Sequence, residues 1–405
     1  MTRANVPIIL LLGLVGLGAG CAADPPQVEI TITNGQGEIA GEVTTESVIL
    51  QSRLTTTDGW LDGDLPGAPG VARFEVATNA DFTSVVEMSD WIDATADGDY
   101  IVKARVSGLT AETGYFYRVV YGPDPENTVY GPTRSFATHA GSSGEAETSF
   151  MVVTGMNYYQ FFDNDSRYND TDNTPARAYT GPDKILGYPA LATMLSMDPD
   201  FFIATGDNVY YDVPFEGRAD TAQAMRKKWH EQLGKQRFID FFAEVPTYWE
   251  KDDHDYRYND SDNTSSQTPL PQLGQDIFLE QVPVVDPADP NPVTYRTHRI
   301  SQDLQIWLTE GRDYRSANMS DAGPDKTLWG AEQLSWFKRT LSESTATFKI
   351  LISPTPMIGP DDADQAGRPA DNHDPVKRDN HSNPQGFRHE RDELFAWLIE
   401  NDFLN

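Results

Sequence analysis

Short runs in which apolar and polar residues alternate fill the chain from 27 to 138. V-E-I-T-I-T, S-V-I-L-Q-S-R-L, A-R-F-E-V-A-T, Y-I-V-K-A-R-V and Y-F-Y-R-V-V-Y put apolar side chains at every second position, and Gly, Asp, Pro and Asn separate them. A period of two sends one face of each strand to a core and the other to water, so the pattern predicts an antiparallel β-sandwich. The segment 139–148, which contains A-G-S-S-G-E-A-E-T, is polar, rich in Gly and Ser and without period, and reads as a linker.

From 149 to 405 the pattern changes to strands alternating with helices, which predicts an α/β domain. F-M-V-V-T, F-F-I-A-T, T-Y-W-E, L-Q-I-W-L-T and F-K-I-L-I-S are short apolar runs suited to buried strands. A helix is expected over P-A-L-A-T-M-L-S-M, with Leu191, Met194 and Leu195 on one face. One long helical stretch is expected from about Asp220 to Phe242, presenting Met225, Trp229 and Leu233. Further helices are expected over A-E-Q-L-S-W-F-K-R-T-L and over F-R-H-E-R-D-E-L-F-A-W-L-I-E.

Composition narrows the function. The 31 Lys and Arg against 62 Asp and Glu leave a formal charge of −31, which argues against a nucleic-acid partner except as substrate and against adhesion to anionic lipid. It suits a chain that holds cations. One cysteine excludes an internal disulfide framework and any cysteine-rich zinc or iron–sulfur site. That cysteine, Cys21, follows Arg3, an apolar run to Leu17 and the small residues Gly18, Ala19 and Gly20. Residues 1–21 read as a secretory leader. The pattern resembles a bacterial lipobox, which implies cleavage before Cys21 and its lipidation, hence a lipid anchor to a membrane outside the cytoplasm; plain secretion with Cys21 as a bystander is the alternative.

Ligands in α/β sheets bind beyond the carboxyl ends of the strands, and here oxygen and nitrogen donors gather there. F-F-I-A-T is followed by G-D-N-V-Y-Y-D, and T-Y-W-E by K-D-D-H-D-Y. A carboxylate that bridges two cations suits Asp207, because Gly206 lets the backbone turn sharply after the strand. Asp253 offers a second ligand, and His254 can protonate a leaving group or steady a phosphoryl oxygen. A Gly-Asp pair alone would read as a turn, but acids and imidazole crowded in D-D-H-D need something positive among them. Arg312 and Arg315, in R-D-Y-R, can hold phosphate oxygens with Asp313 orienting one of them; a local salt-bridged loop is the other reading. His381, beside Asn380, and His373 stand in two D-N-H triplets and are candidate ligands or solvated loop residues. The acidic runs around 163–173 and in N-D-S-D-N have a composition suited to calcium, but they lack the loop glycine and terminal Glu of an EF-hand and read as solvated loops. G-x-S-x-G, the P-loop and H-E-x-x-H are absent.

G-D-N-V-Y-Y and W-E-K-D-D-H-D resemble motifs of the calcineurin-like metallophosphoesterases, in the variant of the alkaline phosphatase D-like family. V-S-G-L-T-A-E-T-G-Y-F-Y-R-V likewise resembles the fibronectin III and immunoglobulin-like corner, with Leu109 inward and Tyr115 or Tyr117 tying a loop. The resemblances imply a fibronectin III/Ig-like β-sandwich followed by an α/β four-layer metallophosphoesterase-like sandwich. The implied activity is metal-dependent hydrolysis of phosphate mono- or diesters. Asp207 would bridge metals, expected by resemblance to be iron and calcium, Tyr210 would be a phenolate ligand, Asp253 a further ligand and His254 the histidine beside the phosphate. Where the family places a cysteine ligand this chain has Met156, so either the iron site is altered or Asn157 contributes instead. Lys251 replaces the family's usual acid after Trp. The family's late G-D-x-H motif is not reached, and the expectation is a truncated form of a longer enzyme. A surface lipoprotein that binds metal or phosphate without turnover, and an interaction module built on the sandwich, are the competing readings.

Overall fold

The computed structural model describes residues 31–57, 59–163, 178–214, 217–359 and 377–403. The N-terminal strands are β1 (Ile32–Thr33), β2 (Glu38–Gly41), β3 (Ser47–Arg53), β4 (Thr55–Thr56), β5 (Gly70–Ala77), β6 (Val85–Met88), β7 (Ile92–Ala94), β8 (Ile101–Ser107), β9 (Gly114–Asp124), β10 (Asn127–Tyr130) and β11 (Arg134–Ala137). Then come β12 (Phe150–Val153), β13 (Phe201–Thr205), β14 (Thr247–Glu250), β15 (Arg296–Arg299), β16 (Leu304–Leu308) and β17 (Phe348–Ile352). The helices are α1 (Tyr158–Phe162), α2 (Pro189–Leu195), α3 (Ala222–Leu233), α4 (Gln236–Phe242), α5 (Pro271–Gln281), α6 (Gly330–Glu343) and α7 (Arg388–Glu400).

The alternating strands form two facing layers. One is the sheet β10-β9-β5-β6, with β11 on β9 and β7 on β5; the other is the β2-β3-β8 part of a larger sheet. Val48, Leu50, Phe74, Val76, Val102, Val106, Tyr117 and Val119 meet between them, as a period of two requires. Leu109 is buried in the same core, and the Tyr115 hydroxyl accepts from Thr110 N at 2.8 Å, tying the loop before β9.

The two halves of the chain share a sheet. Its order is β12-β13-β14-β2-β3-β8, and Thr247 pairs with Gly41 where the halves join. A Cβ on Gly41 would lie 2.6 Å from the Pro283 carbonyl oxygen, so only glycine lets β2 approach so closely. Every residue of β3 is buried, because its second face is covered: Gln51 Nε2 donates to Gln281 O at 2.7 Å. On β8, Lys103 Nζ donates to the carbonyls of Leu279 (2.7 Å), Glu280 (3.2 Å) and Val282 (2.7 Å), satisfying carbonyls that the end of α5 leaves free. The segment read as a linker is also docked. Gly141 N donates to Ile300 O at 3.1 Å, and the His139 ring stacks on Tyr248.

Beyond the junction, β12, β13 and β14 are parallel. β12 is the edge, whereas β13 and β14 are buried at every residue, which is why F-F-I-A-T reads as an unbroken apolar run. Phe202, Ala204 and Trp249 face α3, α4 and α5. Phe201, Ile203 and Tyr248 face Ile306, Leu308 and Ile352 of the sheet β15-β16-β17. On the far side of that sheet Trp307 and Leu351 pack with Phe337 and Leu341 of α6 and Leu394 of α7. Helices, sheet, sheet and helices thus follow one another. The stretch expected as one long helix is two: Gly234 ends α3, and a Cβ there would meet Trp60 at 2.6 Å and His230 O at 2.8 Å. The polar, Gly-containing α5 (P-Q-L-G-Q-D-I-F-L-E-Q) and the strand R-T-H-R carry weak periodicity, and sequence reading missed both. Among the described residues no helix is long and apolar enough to cross a membrane. Residues 1–30, including Cys21, lie outside the described residues, as do His373 and most of the acidic run around 163–173.

Candidate metal centre

The loops after β13 and β14 touch, and small residues make this possible. Gly206 has φ +87°, and a Cβ on it would lie 2.5 Å from Asp252 Cβ. Asp207 follows with φ +53°, a conformation a short polar side chain tolerates. Asp255 staples the loops together, accepting from Asn208 N (3.0 Å), Asn208 Nδ2 (2.6 Å) and Asp252 N (2.7 Å). The four groups of D-D-H-D therefore have different tasks. Asp255 holds the backbone, Asp252 binds Arg312, and Asp253 and His254 face the centre.

One ligand atom each of Asp207, Asp253 and His254 lies within 4.8 Å of the others. His254 Nδ1 is 2.7 Å from Asp212 Oδ1, which leaves Nε2 for the centre, and the ring stacks on Tyr210 at 4.2 Å. The Tyr210 hydroxyl donates to Asp207 Oδ2 at 3.0 Å; Asp207 Oδ1 is buried with no hydrogen-bond partner. Burial, and then the charge of Asp253, hold the Asp207 carboxyl well above the usual range. Burial also opposes charge on Asp253, yet Arg312 and His254 outweigh it and keep that carboxyl below its ordinary value. For His254, burial resists the charged form, but Asp253 and the bond to Asp212 win and raise it to about 10. A buried carboxylate oxygen without a donor, among hard oxygen and imidazole ligands, is the environment a cation satisfies.

Asp253 also belongs to a second group. With Asp260 and Asp379 it places three carboxylate oxygens within 4.8 Å. Asp260 N donates to Asp253 Oδ2 at 2.5 Å. Burial and the charges of Asp379 and Asp253 lift the Asp260 carboxyl to about 6. N-D-S-D-N is therefore more than a solvated loop, although Asn259 is exposed. Asp260 joins the centre, and Asp262 accepts from Asn318 N at 2.8 Å. The acidic run N-D-S-D-N was the signal for Asp260 in the sequence, and it matches no recognisable ligand motif.

Several expected site residues do other work. Arg312, fully buried, binds Asp252 at 2.5 Å, lies 3.6 Å from both Asp253 and Asp379, and donates to Ser261 O at 2.9 Å. It is the positive charge that D-D-H-D requires, directed inside the protein rather than at a phosphate. Arg315 donates to Gly311 O (2.6 Å), Asn318 Oδ1 (2.9 Å) and Asp379 O (2.8 Å), so it braces the loop. Asp313 orients neither arginine; with Glu310 it flanks the buried Lys251, at 2.7 and 2.5 Å. Lys251 thus answers two buried acids, more than a loop adjustment. Asn157 caps α1, its Oδ1 accepting from Gln160 N at 3.0 Å, and Met156 sits in the apolar core behind the centre, its N donating to Asp207 O at 2.9 Å. His381 lies in neither ligand group. Its Nε2 is 2.8 Å from Glu390 Oε1 and its ring meets Trp329 edge-on at 5.3 Å. Glu390 also accepts from Leu328 N and Trp329 N, so this pair ties α7 to the start of α6.

Residues 175–405 match the family described as PhoD-like phosphatase, and residues 23–137 match the PhoD-like phosphatase N-terminal domain. Among solved structures the chain is similar to that of PhoD, with 19% identity and a TM-score of 0.68 over 93% of this chain and 70% of that one. At this identity the likeness shows a shared fold. The chain is also similar to purple acid phosphatase PPD1 from seeds of yellow lupin (Lupinus luteus), with 12% identity and a TM-score of 0.48 over 82% of this chain and 52% of that one. No curated protein is matched.

Proposed function

Because the chain belongs to the PhoD-like phosphatase family and is by that membership a metal-dependent phosphoric ester hydrolase, we propose that Asp207, Tyr210, Asp253 and His254 form its catalytic centre. The observation that carries this reading is the buried, unpartnered Asp207 Oδ1 beside Asp253 and His254. Asp207 and Asp253 would hold the metals, with Tyr210 at the same centre, and Asp260 and Asp379 would extend the ligand set around Asp253. Iron and calcium are the proposed identities. A metal held there supplies positive charge to polarise phosphoryl oxygens and to make water acidic enough to attack phosphorus. His254, fixed through Nδ1 by Asp212, presents Nε2 to the leaving side and delivers the proton an alkoxide needs. Arg312 offsets the mutual repulsion of Asp252 and Asp253.

The domain plan goes with this reading: a leader over 1–21 lipidated at Cys21, a fibronectin III/Ig-like sandwich over 27–138, a linker over 139–148 and a catalytic domain over 149–405 with a four-layer metallophosphoesterase-like core. The site of action would then be outside the cytoplasm, and the substrates phosphate mono- or diesters met there. Metal content by mass spectrometry, and hydrolysis of p-nitrophenyl phosphate and its diester, test the centre together. Asp207→Asn is expected to lose both metal and turnover, and retention of both by that variant would remove Asp207 from the centre.

A further inference from the structure

Arg312 and Arg315 donate to the protein's own oxygens, so neither is free to hold a part of the substrate that lies beyond the metals. A cavity of about 430 Å³ is lined by Asp260 and Asp379, the carboxylates grouped with Asp253, and by Tyr258, Asp262, Lys377 and Arg378. Lys377 is 3.3 Å from Asp260. Arg378 is half-buried and makes no hydrogen bond or ion pair to any described residue. The charges around it are mixed: Asp260, Asp262 and Asp379 line the same cavity, while on its other side stand Lys326 and Arg315. Among the described residues Lys326 donates to the carbonyls of Asn318 (2.7 Å) and Gln385 (2.9 Å), and burial, then Arg378 and Arg315, push its ammonium down to about 8 against the pull of Asp262 and Asp321. Among the described residues Arg315 likewise donates to carbonyl oxygens. Three cations are thus gathered without a carboxylate contact to any of them among the described residues, an arrangement an anion would relieve.

We propose that this cavity receives the leaving portion of the substrate and that Arg378 selects a leaving portion with its own negative charge, a second phosphoryl group. Phosphoanhydrides and polyphosphate esters would then be preferred over monoesters of neutral alcohols. The inference rests on the catalytic reading above, because Asp253 belongs to both carboxylate groups and the cavity begins where the reacting centre ends. In the hydrolysis the water oxygen bonds to phosphorus and the bridging P–O bond breaks with its electron pair on the departing oxygen. A departing phosphate carries that pair as an anion, and the water's proton passes to solvent; a departing alkoxide takes the proton instead.

The test uses the full chain loaded with metal and compares kcat/KM for pyrophosphate with that for phenyl phosphate. One charge-assisted contact of this kind is worth about tenfold, so Arg378→Gln should lower the pyrophosphate-to-phenyl phosphate ratio about tenfold, and Arg378→Lys should restore part of it. An unchanged ratio overturns the proposal. Should the wild-type chain hydrolyse neither compound and no phosphodiester either, the catalytic reading falls, and calorimetric titration still decides the subsite. Pyrophosphate must bind wild type more tightly than inorganic phosphate and lose that advantage in Arg378→Gln; equal affinities overturn it.

Discussion

At the level of single residues, the centre is a set of charges that do not balance by themselves. Asp207 has one oxygen with a hydroxyl donor and one with nothing, and burial penalises its charge. His254 gains its positive character from Asp253 and from Asp212, whose carboxylate sits 2.7 Å from Nδ1 although no motif or spacing singles it out as the partner. Asp212→Asn keeps the shape of that contact and removes its charge. Turnover of an alkyl phosphate, which needs a proton on the leaving oxygen, should fall about 10- to 100-fold, and that of p-nitrophenyl phosphate, whose leaving group does not, should fall less. Parallel losses on both substrates would mean that Asp212 serves the fold and not the proton.

Among the elements, the turn between β7 and β8 is held to α3 and α5 by buried polar contacts. Asp99 is 3.0 Å from Arg53 Nη2, 2.6 Å from His230 Nε2 and 2.8 Å from Gln281 Nε2. Burial works against its charge, but the bonds to His230, Arg53 and Gln281 prevail and lower its pKa from 3.8 to about 2. The stability from this shift is fully present above the unfolded value of 3.8 and is lost as pH falls through about 2; it amounts to about 2 kcal/mol. In urea unfolding, the advantage of wild type over Asp99→Asn should therefore be largest near neutrality and shrink between about pH 4 and about pH 2. A gap that does not change with pH would assign the contact no electrostatic part. Gly41→Ala probes the neighbouring junction. Its Cβ must displace Pro283 or push β2 away from β14, and a loss of about 1–3 kcal/mol in the same unfolding experiment is expected.

For the molecule as a whole, the N-terminal sandwich is part of the body that carries the centre. β2 extends the sheet of β14, Glu42 is paired with Arg296 at 2.5 Å and with His298 at 2.9 Å, and the Tyr248 hydroxyl donates to Val43 O at 2.7 Å. A chain beginning at Thr138 would expose β14, α5 and the buried partners of Glu42. It is expected to be insoluble or to unfold without a cooperative transition, as followed by circular dichroism on heating. A soluble, cooperatively folding product with metal bound would show the halves to be independent.

Elements whose pattern is local were legible in the order of the amino acids. Period-two runs became the sandwich, and apolar runs such as F-F-I-A-T and L-Q-I-W-L became fully buried strands. The position of Asp207 and of Asp253–His254 after strand ends brought them to one edge. Packing alone assigned each charged group its task. Arg312, Arg315 and His381 stand in motifs that look free to bind ligands, but Arg312 meets Asp252, Arg315 the carbonyl of Asp379, and His381 the α7 carboxylate of Glu390. The same is true of Asp260, an acid in a polar loop until Asp253 and Asp379 surround it. Periodicity records which face of an element meets a core, because burial acts on each residue through its neighbours along the chain. The pairing of charges depends on which loops meet in space, and only the packed fold sets that.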